Sequence, residues 1–353
     1  MKDTFSMGGK TYRSGHALII AELSANHNGD FAKAMELVVA AVEAGADAIK
    51  VQTYTADSMT IDAHQDHFQI SGGTMWDGKN LHDIYGEGSM PWDWQPKLAE
   101  RCKELGVHFF SSPFDATAVD FLQTLDIPAY KIASFELVDI PLIQKVAATG
   151  KPLIISTGMG NLSEIAEAVD AAITGGAHDL ALLKCTSAYP SPPEDMNLRT
   201  IPHLAEAFGV VAGLSDHTMG IAVPVASAAV GAGIIEKHLT LRRTDGGPDS
   251  AFSLEPNEFK AMVDAVRIAE KAMGEVNYGP VSADIGIRDY RRSLFAVKRI
   301  RAGEAFTAEN IRAIRPGHGL PPKFITQVLG RFAAVDIERG TPLDWDLLGV
   351  GGV

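Results

Sequence analysis

Residues 210–218 read VVAGLSDHT and residues 231–240 read GAGIIEKHLT, and these two stretches decide the fold. Each begins as a short apolar run, typical of a buried strand, and ends in a cluster of hydroxyl, acidic and imidazole side chains. A (βα)8 barrel builds its active site from residues at the carboxyl ends of successive parallel strands. The two stretches therefore predict an enzyme with this fold.

Short β-rich apolar runs alternate with longer helical patterns from residue 17 to about residue 274, which is typical of parallel βα units. Eight such runs occur, the number of strands that closes a TIM barrel. They are residues 18–22, 48–52, 107–111, 129–133, 153–156, 180–184, 210–214 and 234–238. Helical apolar spacing predicts helices between them at 32–44, 94–105, 117–125, 162–174, 222–230 and 256–273.

The chain has 353 residues, more than the roughly 250 of a typical barrel, so a second and smaller domain is expected. We predict a barrel over 1–280 with an N-terminal hairpin, a linker over 281–290 and a β-rich domain over 291–353. The connection at 53–91 is much longer than a usual βα loop and carries tryptophans and tyrosines. Such a loop at a catalytic face predicts a lid or a substrate-binding wall.

Composition argues against several classes of function. A net charge of −13 disfavours nucleic acid as a partner, because phosphate backbones are bound through Lys and Arg. No apolar stretch approaches the roughly 20 residues of a membrane helix, and the first ten residues lack the apolar core of a signal peptide. Two cysteines, Cys102 and Cys185, cannot build a disulfide framework, so we expect a cytoplasmic protein.

Every predicted strand carries polar residues at or just after its end, which favours a concave site over a structural barrel, because buried charges need partners. Lys50, Lys131 and Lys184, together with nearby serine and threonine hydroxyls, predict an anion pocket suited to phosphate. The alternative use of such a lysine is a Schiff base, as in class I aldolases.

Two histidines, His217 and His238, stand at the ends of neighbouring predicted strands. Two imidazoles completed by water and substrate oxygens suit Mn, Fe, Co or Zn better than Ca. Asp216 could orient one imidazole through a hydrogen bond. The alternative is that each histidine is structural, and His27, next to an Asn-Gly step, is read in the same way as a turn residue.

Eight motifs occur in the order found in the nonulosonic (sialic) acid synthases, which this chain resembles over nearly its whole length. They are residues 21–29 (AELSANHNG), 50–53 (KVQT), 131–134 (KIAS), 156–159 (STGM), 184–190 (KCTSAYP), 213–218 (GLSDHT), 236–240 (EKHLT) and 253–256 (SLEP). Residues 291–346 resemble the small antifreeze-like (SAF) domain that ends those enzymes.

Other details look like the pseudaminic acid synthase branch of that family. Residues 23–25 (LSA) and 135–136 (FE) belong to this pattern, whereas sialic acid synthases proper more often show glycine-rich variants there. N-acetylneuraminic and legionaminic acid synthases are the alternatives within the family. A metal or Schiff-base aldolase and a sugar-binding or ice-binding protein are the alternatives outside it.

The resemblance implies that phosphoenolpyruvate condenses with the open-chain aldehyde of a diacetamido-trideoxy hexose, 2,4-diacetamido-2,4,6-trideoxy-L-altrose, to give pseudaminic acid and phosphate. A divalent metal would assist, with Mn²⁺ favoured and Mg²⁺ or Co²⁺ as options. Matching positions imply catalytic roles for Glu22, Glu236, His217 and His238, the last two as metal ligands. They imply phosphoenolpyruvate contacts from Lys50, Ser112, Lys131, Ser134, Ser156, Ser187 and Ser215, and sugar contacts from Asn26, Gln52, Tyr189, Asp249 and Arg315. Arg315 would act on the partner's barrel, which implies a domain-swapped homodimer.

Overall fold

The computed structural model describes residues 3–71 and 76–349. The chain forms two compact units, Met1–Gly274 and Glu275–Val353. Residues 72–75 of the predicted lid and residues 350–353 of the predicted C-terminal domain lie outside the described residues. The exact limits predicted for the linker stay a prediction.

The first unit opens with an antiparallel hairpin of β1 (Phe5–Met7) and β2 (Lys10–Tyr12). Gly8 and Gly9 make its turn with positive φ, which glycine adopts without steric cost. A Cβ on Gly8 would lie 2.3 Å from the ring of His108, which begins a barrel strand. The hairpin therefore packs at the amino ends of the strands, opposite the end where chemistry is expected.

Eight parallel strands close into a barrel in sequence order, which confirms the predicted (βα)8 fold. They are β3 (Leu18–Glu22), β4 (Ala48–Thr53), β5 (His108–Pro113), β6 (Tyr130–Ile132), β7 (Leu153–Ser156), β8 (Leu180–Cys185), β9 (Val211–Asp216) and β10 (Ile234–His238). Their side chains are almost all buried, as expected for strands covered by helices on one face and packed inside a barrel on the other.

Ten helices surround or extend this barrel within the described residues. They are α1 (Phe31–Glu43), α2 (Ala56–Met59), α3 (Leu81–Gly88), α4 (Gln95–Glu104), α5 (Ala116–Gln123), α6 (Ile140–Ala147), α7 (Leu162–Gly175), α8 (Thr200–Phe208), α9 (Ala222–Ala229) and α10 (Pro256–Met273). All six predicted helices are present within a few residues of their expected ends. Local chemistry sets these ends: Asp30 caps α1 by accepting from two backbone N–H groups, and Asn161 caps α7 in a capping box with Glu164.

The second unit contains an antiparallel pair, β11 (Ser293–Ala296) and β12 (Ile311–Ile314), and a short helix, α11 (Ile325–Val328). Further single bridges, such as Ile300 with Ile337, extend the β-rich character. The unit has a hydrophobic core of its own, which includes Leu294, Ile300, Phe306, Val328 and Leu343. Across the described residues of both units, no helix has the length and hydropathy needed to cross a membrane.

Candidate active site

Strand pairing brings the first group of predicted residues together at the carboxyl ends of neighbouring strands. Glu22 on β3 lies in register with Lys50 on β4 and with His238 on β10. Lys50 Nζ lies 2.5 Å from Glu22 Oε2 and 3.3 Å from Glu236 Oε1. Lys50 also donates to Ser112 Oγ at 3.3 Å. All four of these polar side chains are buried. The positive charge of Lys50 is therefore balanced by the two glutamates rather than by solvent.

The two carboxylates of this group have opposite pKa shifts. Burial raises the pKa of Glu22 to about 7, against the attraction of Lys50. Burial would raise the pKa of Glu236 as well, but Lys131 and Lys50 outweigh it and the net shift is downward. Ser215 donates to Glu236 Oε1 at 3.2 Å, which further favours its anionic form. Near neutral pH one carboxyl can therefore hold a proton while its neighbour stays charged.

A second group forms a cradle around the turn between β7 and α7. Lys131 Nζ donates to two neutral oxygens, Ser156 Oγ at 2.6 Å and the carbonyl of Ile132 at 3.1 Å. Ser134 Oγ accepts from the backbone N–H of Gly158 at 3.2 Å. A buried ammonium bonded to neutral oxygens, beside hydroxyls and a backbone N–H, is suited to bind an anion.

Gly158 shows how closely the hydroxyls of this cradle converge. A Cβ at this position would lie 2.4 Å from Ser187 Oγ and 2.7 Å from Ser134 Oγ. Both distances are shorter than real Cβ contacts, so a side chain at this position would force the two hydroxyls to move. The structure thus places Ser187 close to Ser134, and the contact of both with phosphoenolpyruvate stays a prediction.

The two histidines face each other, with ring centroids 5.3 Å apart. His217 Nδ1 lies 3.0 Å from the carbonyl of Thr186, an acceptor, so Nδ1 carries a proton and Nε2 is the nitrogen left for a ligand. Burial would lower the pKa of His217, but Cys185 outweighs it and the net shift is upward, so metal binding at Nε2 would release a proton. Burial lowers the pKa of His238 well below its ordinary value, which keeps this imidazole neutral, and its buried Nδ1 has no hydrogen-bond partner among the described residues.

These properties fit a divalent metal ion. Neutral imidazoles are good ligands for first-row ions, and a ring nitrogen fixed by a backbone carbonyl is the usual support for such a ligand. Among residues 3–71 and 76–349, no group of three or more His, Cys, Asp or Glu side chains is arranged to hold a metal. The protein would therefore supply two nitrogens, and water or substrate oxygens the rest.

Residues predicted to bind the sugar are linked through a side chain that was not predicted. Gln52 Nε2 donates to Ser24 Oγ at 3.0 Å, and Ser24 Oγ donates in turn to the carboxylate of Asp249. Burial raises the pKa of Asp249. Gln52 shares its face of β4 with Lys50, because alternate residues of a strand point to the same side. This link therefore belongs to the same barrel mouth.

An aromatic group lies over the two imidazoles. The ring of Tyr189 is 4.5 Å from that of His217 and 5.2 Å from that of Phe252. Phe252 also packs 5.1 Å from His238, and Trp76 of the long connection packs 5.7 Å from Tyr189. The long connection thus reaches the site, as its length and aromatic content predicted.

Asn26 and His27 are held tightly by the protein itself. Asn26 Nδ2 donates to the carbonyl of Leu239 at 2.8 Å and to Ser253 Oγ at 2.9 Å, which ties the loop after β3 to that after β10. Its contact with sugar stays a prediction. His27 packs edge-on against Trp94 and accepts from the N–H of Gly29, which agrees with a structural turn residue.

Glu136 is a functional candidate that the site prediction missed. It lies two residues beyond Ser134, and its Oε2 is buried without a hydrogen-bond partner among the described residues. Burial raises its pKa to about 7. In the sequence, Glu136 follows closely after the 131–134 motif. Residues 135–136 entered the sequence analysis only as a feature that indicates the branch of the family.

The prediction that three lysines converge is wrong for Lys184. Alternation along β8 turns Cys185 inward, where Cys185 Sγ lies 3.8 Å from His217 Nδ1. Lys184 therefore points to the other face, where it donates to the carbonyl of Cys185 at 2.9 Å and to Thr186 Oγ1 at 3.4 Å. Lys50 and Lys131 form the cationic part of the site.

The prediction that Asp216 orients an imidazole is also wrong. Asp216 and Lys237 are each one residue away from an inward-facing side chain, so alternation sends both to the outer face of the barrel. There Asp216 Oδ2 pairs with Lys237 Nζ at 2.5 Å, with both side chains fully buried. Asp216 also accepts from Thr218. The carbonyl of Thr186 orients His217 instead.

Arg315 lies in the second unit, directly after β12. The structure describes a single chain, so the predicted action of Arg315 on a partner barrel stays a prediction.

A closed parallel barrel with paired carboxylates, lysines and imidazoles at its strand ends defines a (βα)8-barrel enzyme. Comparison with known families is more specific. The NeuB family model matches residues 37–278, and the SAF domain model matches residues 291–349. The chain belongs to the NeuB family and carries a SAF domain.

Individual relatives cover nearly the whole chain. Pseudaminic acid synthase of Helicobacter pylori is 45% identical over 330 residues, 93% of this chain and 96% of that protein. N,N'-diacetyllegionaminic acid synthase of Legionella pneumophila is 35% identical over 93% of each chain. Among solved structures, a spore coat polysaccharide biosynthesis protein of Bacillus subtilis is 34% identical with a TM-score of 0.66, covering 99% of this chain and 100% of its own.

Proposed function

We propose that this chain condenses phosphoenolpyruvate with 2,4-diacetamido-2,4,6-trideoxy-L-altrose and water to give pseudaminic acid and phosphate. The observation that carries the proposal is the barrel mouth itself, where two buried lysines, two carboxyls with opposite pKa shifts and two imidazoles meet. The choice of sugar is supported by 45% identity to a pseudaminic acid synthase against 35% to a legionaminic acid synthase.

The phosphate of phosphoenolpyruvate would occupy the cradle at the turn between β7 and α7. Lys131 supplies the charge, and the hydroxyls of Ser134, Ser156 and Ser187 supply short donors. The three-carbon end would then lie toward Lys50 and the carboxyls. C3 of phosphoenolpyruvate then bonds to the aldehyde carbon of the sugar, water adds at C2, and phosphate leaves with cleavage of its C–O bond.

The carboxyls divide the proton transfers that this reaction needs. Glu22, whose pKa is raised to about 7, can hold a proton and donate it to the oxygen of the aldehyde as the new C–C bond forms. Glu236 stays anionic between the two ammonium groups and stabilises positive charge that develops at C2. Glu136, two residues beyond Ser134 and with its pKa raised to about 7 by burial, would serve as a second proton carrier.

His217 and His238 would hold the divalent ion, for which we propose Mn²⁺, with Mg²⁺ or Co²⁺ as alternatives. When bound, such an ion acts as a Lewis acid toward the carbonyl oxygen of the sugar. The residues keep both rings in place: Thr186 orients His217, and Phe252 packs against both imidazoles.

The test of the proposed reaction is direct. The protein is incubated with phosphoenolpyruvate, Mn²⁺ and each candidate 2-acetamido or 2,4-diacetamido sugar, while phosphate and the nine-carbon product are followed. We expect turnover with the altrose sugar and loss of turnover with a chelator. Turnover with N-acetylmannosamine alone would overturn the choice of sugar, and no turnover with any sugar would overturn the proposal. Borohydride trapping of substrate on Lys131 would instead indicate an aldolase.

The metal site has a test that does not depend on turnover. His217→Ala and His238→Ala should each weaken Mn²⁺ binding. The affinity is measured in titrations that follow the electron paramagnetic resonance signal of the unbound ion. His203→Ala, an exposed histidine on α8, is the matched control and should bind Mn²⁺ as the wild type does. Equal Mn²⁺ affinity in all four proteins would show that these imidazoles are not ligands.

A further inference from the structure

Ser24 has an unusual backbone conformation for a serine. It follows β3 in the loop that leads to α1, is buried, and has a φ of 42°. In this left-handed region a Cβ meets the backbone, so residues other than glycine adopt it at a cost. Such conformations persist where the surrounding structure requires them, and they concentrate at functional sites.

The contacts of Ser24 explain why a side chain is kept there. Its backbone N–H donates to Glu22 Oε1 at 2.9 Å. Its hydroxyl accepts from Gln52 Nε2 at 3.0 Å and donates to Asp249 Oδ2. The N–H of Ala25 lies 3.4 Å from the same oxygen. One residue thus connects candidate site residues from β3, from β4 and from the loop after β10.

The hydroxyl also determines how the side chains of Gln52 and Asp249 are oriented. A hydroxyl that donates to Asp249 can accept from Gln52, so it is the amide nitrogen of Gln52 that faces Ser24. The carbonyl end of that amide is then the end turned away from Ser24. Glycine at this position would satisfy the backbone, but the amide of Gln52 would lose its acceptor and Asp249 would keep only the long contact with the N–H of Ala25.

We propose that Ser24 is a positioning residue that holds Gln52 and Asp249 in the orientation that binds the sugar, an inference that rests on the proposed synthase function. It acts through these two residues. Gln52 and Asp249 are predicted sugar contacts, so the role of Ser24 concerns the sugar rather than phosphoenolpyruvate.

Two variants separate the hydroxyl from the backbone. Ser24→Ala removes the hydroxyl and keeps the Cβ, whereas Ser24→Gly removes both and relieves the left-handed conformation. We expect both variants to raise KM for the altrose sugar about tenfold, because a hydrogen bond to a charged group is lost. The KM for phosphoenolpyruvate should stay within about twofold. Ser24→Gly should melt at a higher temperature than Ser24→Ala, because glycine tolerates the positive φ.

A double-mutant cycle tests whether Ser24 acts through Asp249. If it does, Ser24→Ala should raise the KM for the sugar much less in an Asp249→Ala background than in the wild type. Additive losses would overturn this route, and an unchanged sugar KM in both Ser24 variants would overturn the proposal. A parallel rise in KM for phosphoenolpyruvate would also overturn it, because that indicates general collapse of the site.

The proposed reaction and the role of Ser24 are judged by different measurements. Turnover by the wild type reports on the reaction. The role of Ser24 is judged by two ratios between variant and wild type. One is the ratio of their KM values for the sugar, and the other is the ratio of their calorimetric affinities for the same sugar. Calorimetry gives this ratio without catalysis, and equal affinities of wild type and variants would count against Ser24 alone.

Discussion

Lys131 and Lys184 show how much the function of a residue depends on which face of a strand it occupies. Both stand near the end of a barrel strand, and both belong to a motif of the family. Lys131 points inward to Ser156, whereas Lys184 is the neighbour of an inward-facing cysteine and points outward. The same side chain is therefore expected to matter for catalysis in one case and not in the other.

This difference can be measured with a pair of identical substitutions. Lys131→Met should lower kcat/KM for phosphoenolpyruvate by about 100-fold, because an ammonium that binds phosphate is lost. Lys184→Met, the matched control, should change it by less than about threefold. Steady-state kinetics with phosphoenolpyruvate as the varied substrate provides the comparison. Equal losses in the two variants would contradict the placement of the anion cradle.

Glu136 should make the stability of the protein depend on pH. Burial raises its pKa from 4.5 to about 7, so the folded state binds the proton more tightly than the unfolded chain. Its contribution to stability is then present below about pH 4.5 and is lost as the pH rises through about 7. Glu136→Gln lacks this titration, so it should melt at a higher temperature than the wild type at about pH 8.

The advantage of Glu136→Gln should shrink toward zero at about pH 5, where the wild-type carboxyl is protonated. The difference corresponds to a stability change on the order of 2 kcal/mol. Thermal melts of both proteins across this pH range measure it. Glu167→Gln, an exposed glutamate on α7, is the control and should follow the wild type throughout. A pH-independent difference for Glu136→Gln would mean that its carboxyl has an ordinary pKa.

At the scale of elements, the turn between β7 and α7 determines the shape of the phosphate cradle. Gly158→Ala would place a Cβ 2.4 Å from Ser187 Oγ and 2.7 Å from Ser134 Oγ, so both hydroxyls must move. We expect KM for phosphoenolpyruvate to rise about tenfold, with loss of one hydrogen bond to phosphate. Gly286→Ala, where an added Cβ meets open space, is the control. An unchanged KM in Gly158→Ala would place the phosphate elsewhere.

The strands and most helices could be predicted from the sequence because their apolar periodicity is local information. The eight barrel strands coincide with short apolar runs, and α7 begins directly after the capping residue Asn161, which can be read from the sequence. The orientation of strand-end residues was harder to predict, because it depends on where each strand enters the barrel. A shift of one residue reverses inward and outward faces, which is why Lys184 and Asp216 were misplaced. Ser24 was missed because partners from distant elements define its role. Glu136 was missed because its raised pKa comes mainly from burial, which depends on the folded chain.

At the scale of the whole molecule, the two units differ in charge as well as in fold. Residues 290–353 hold ten basic and six acidic side chains, although the chain as a whole has a net charge of −13. The SAF domain is therefore positive and the barrel strongly negative. In the predicted domain-swapped homodimer, each SAF domain would meet the barrel of its partner, and the opposite net charges would favour that contact.

A mixing experiment can decide whether each SAF domain serves its own barrel or that of a partner. Arg315→Ala and His238→Ala should each be inactive as pure proteins. In a swapped dimer that contains one chain of each variant, one site carries both defects and the other site carries none. Random assembly of the two chains at equal amounts should then restore about a quarter of wild-type turnover. If Arg315 serves its own barrel, every site keeps one defect and mixing restores nothing. Co-expression of the two tagged variants, with light scattering to measure the oligomeric state, separates these outcomes.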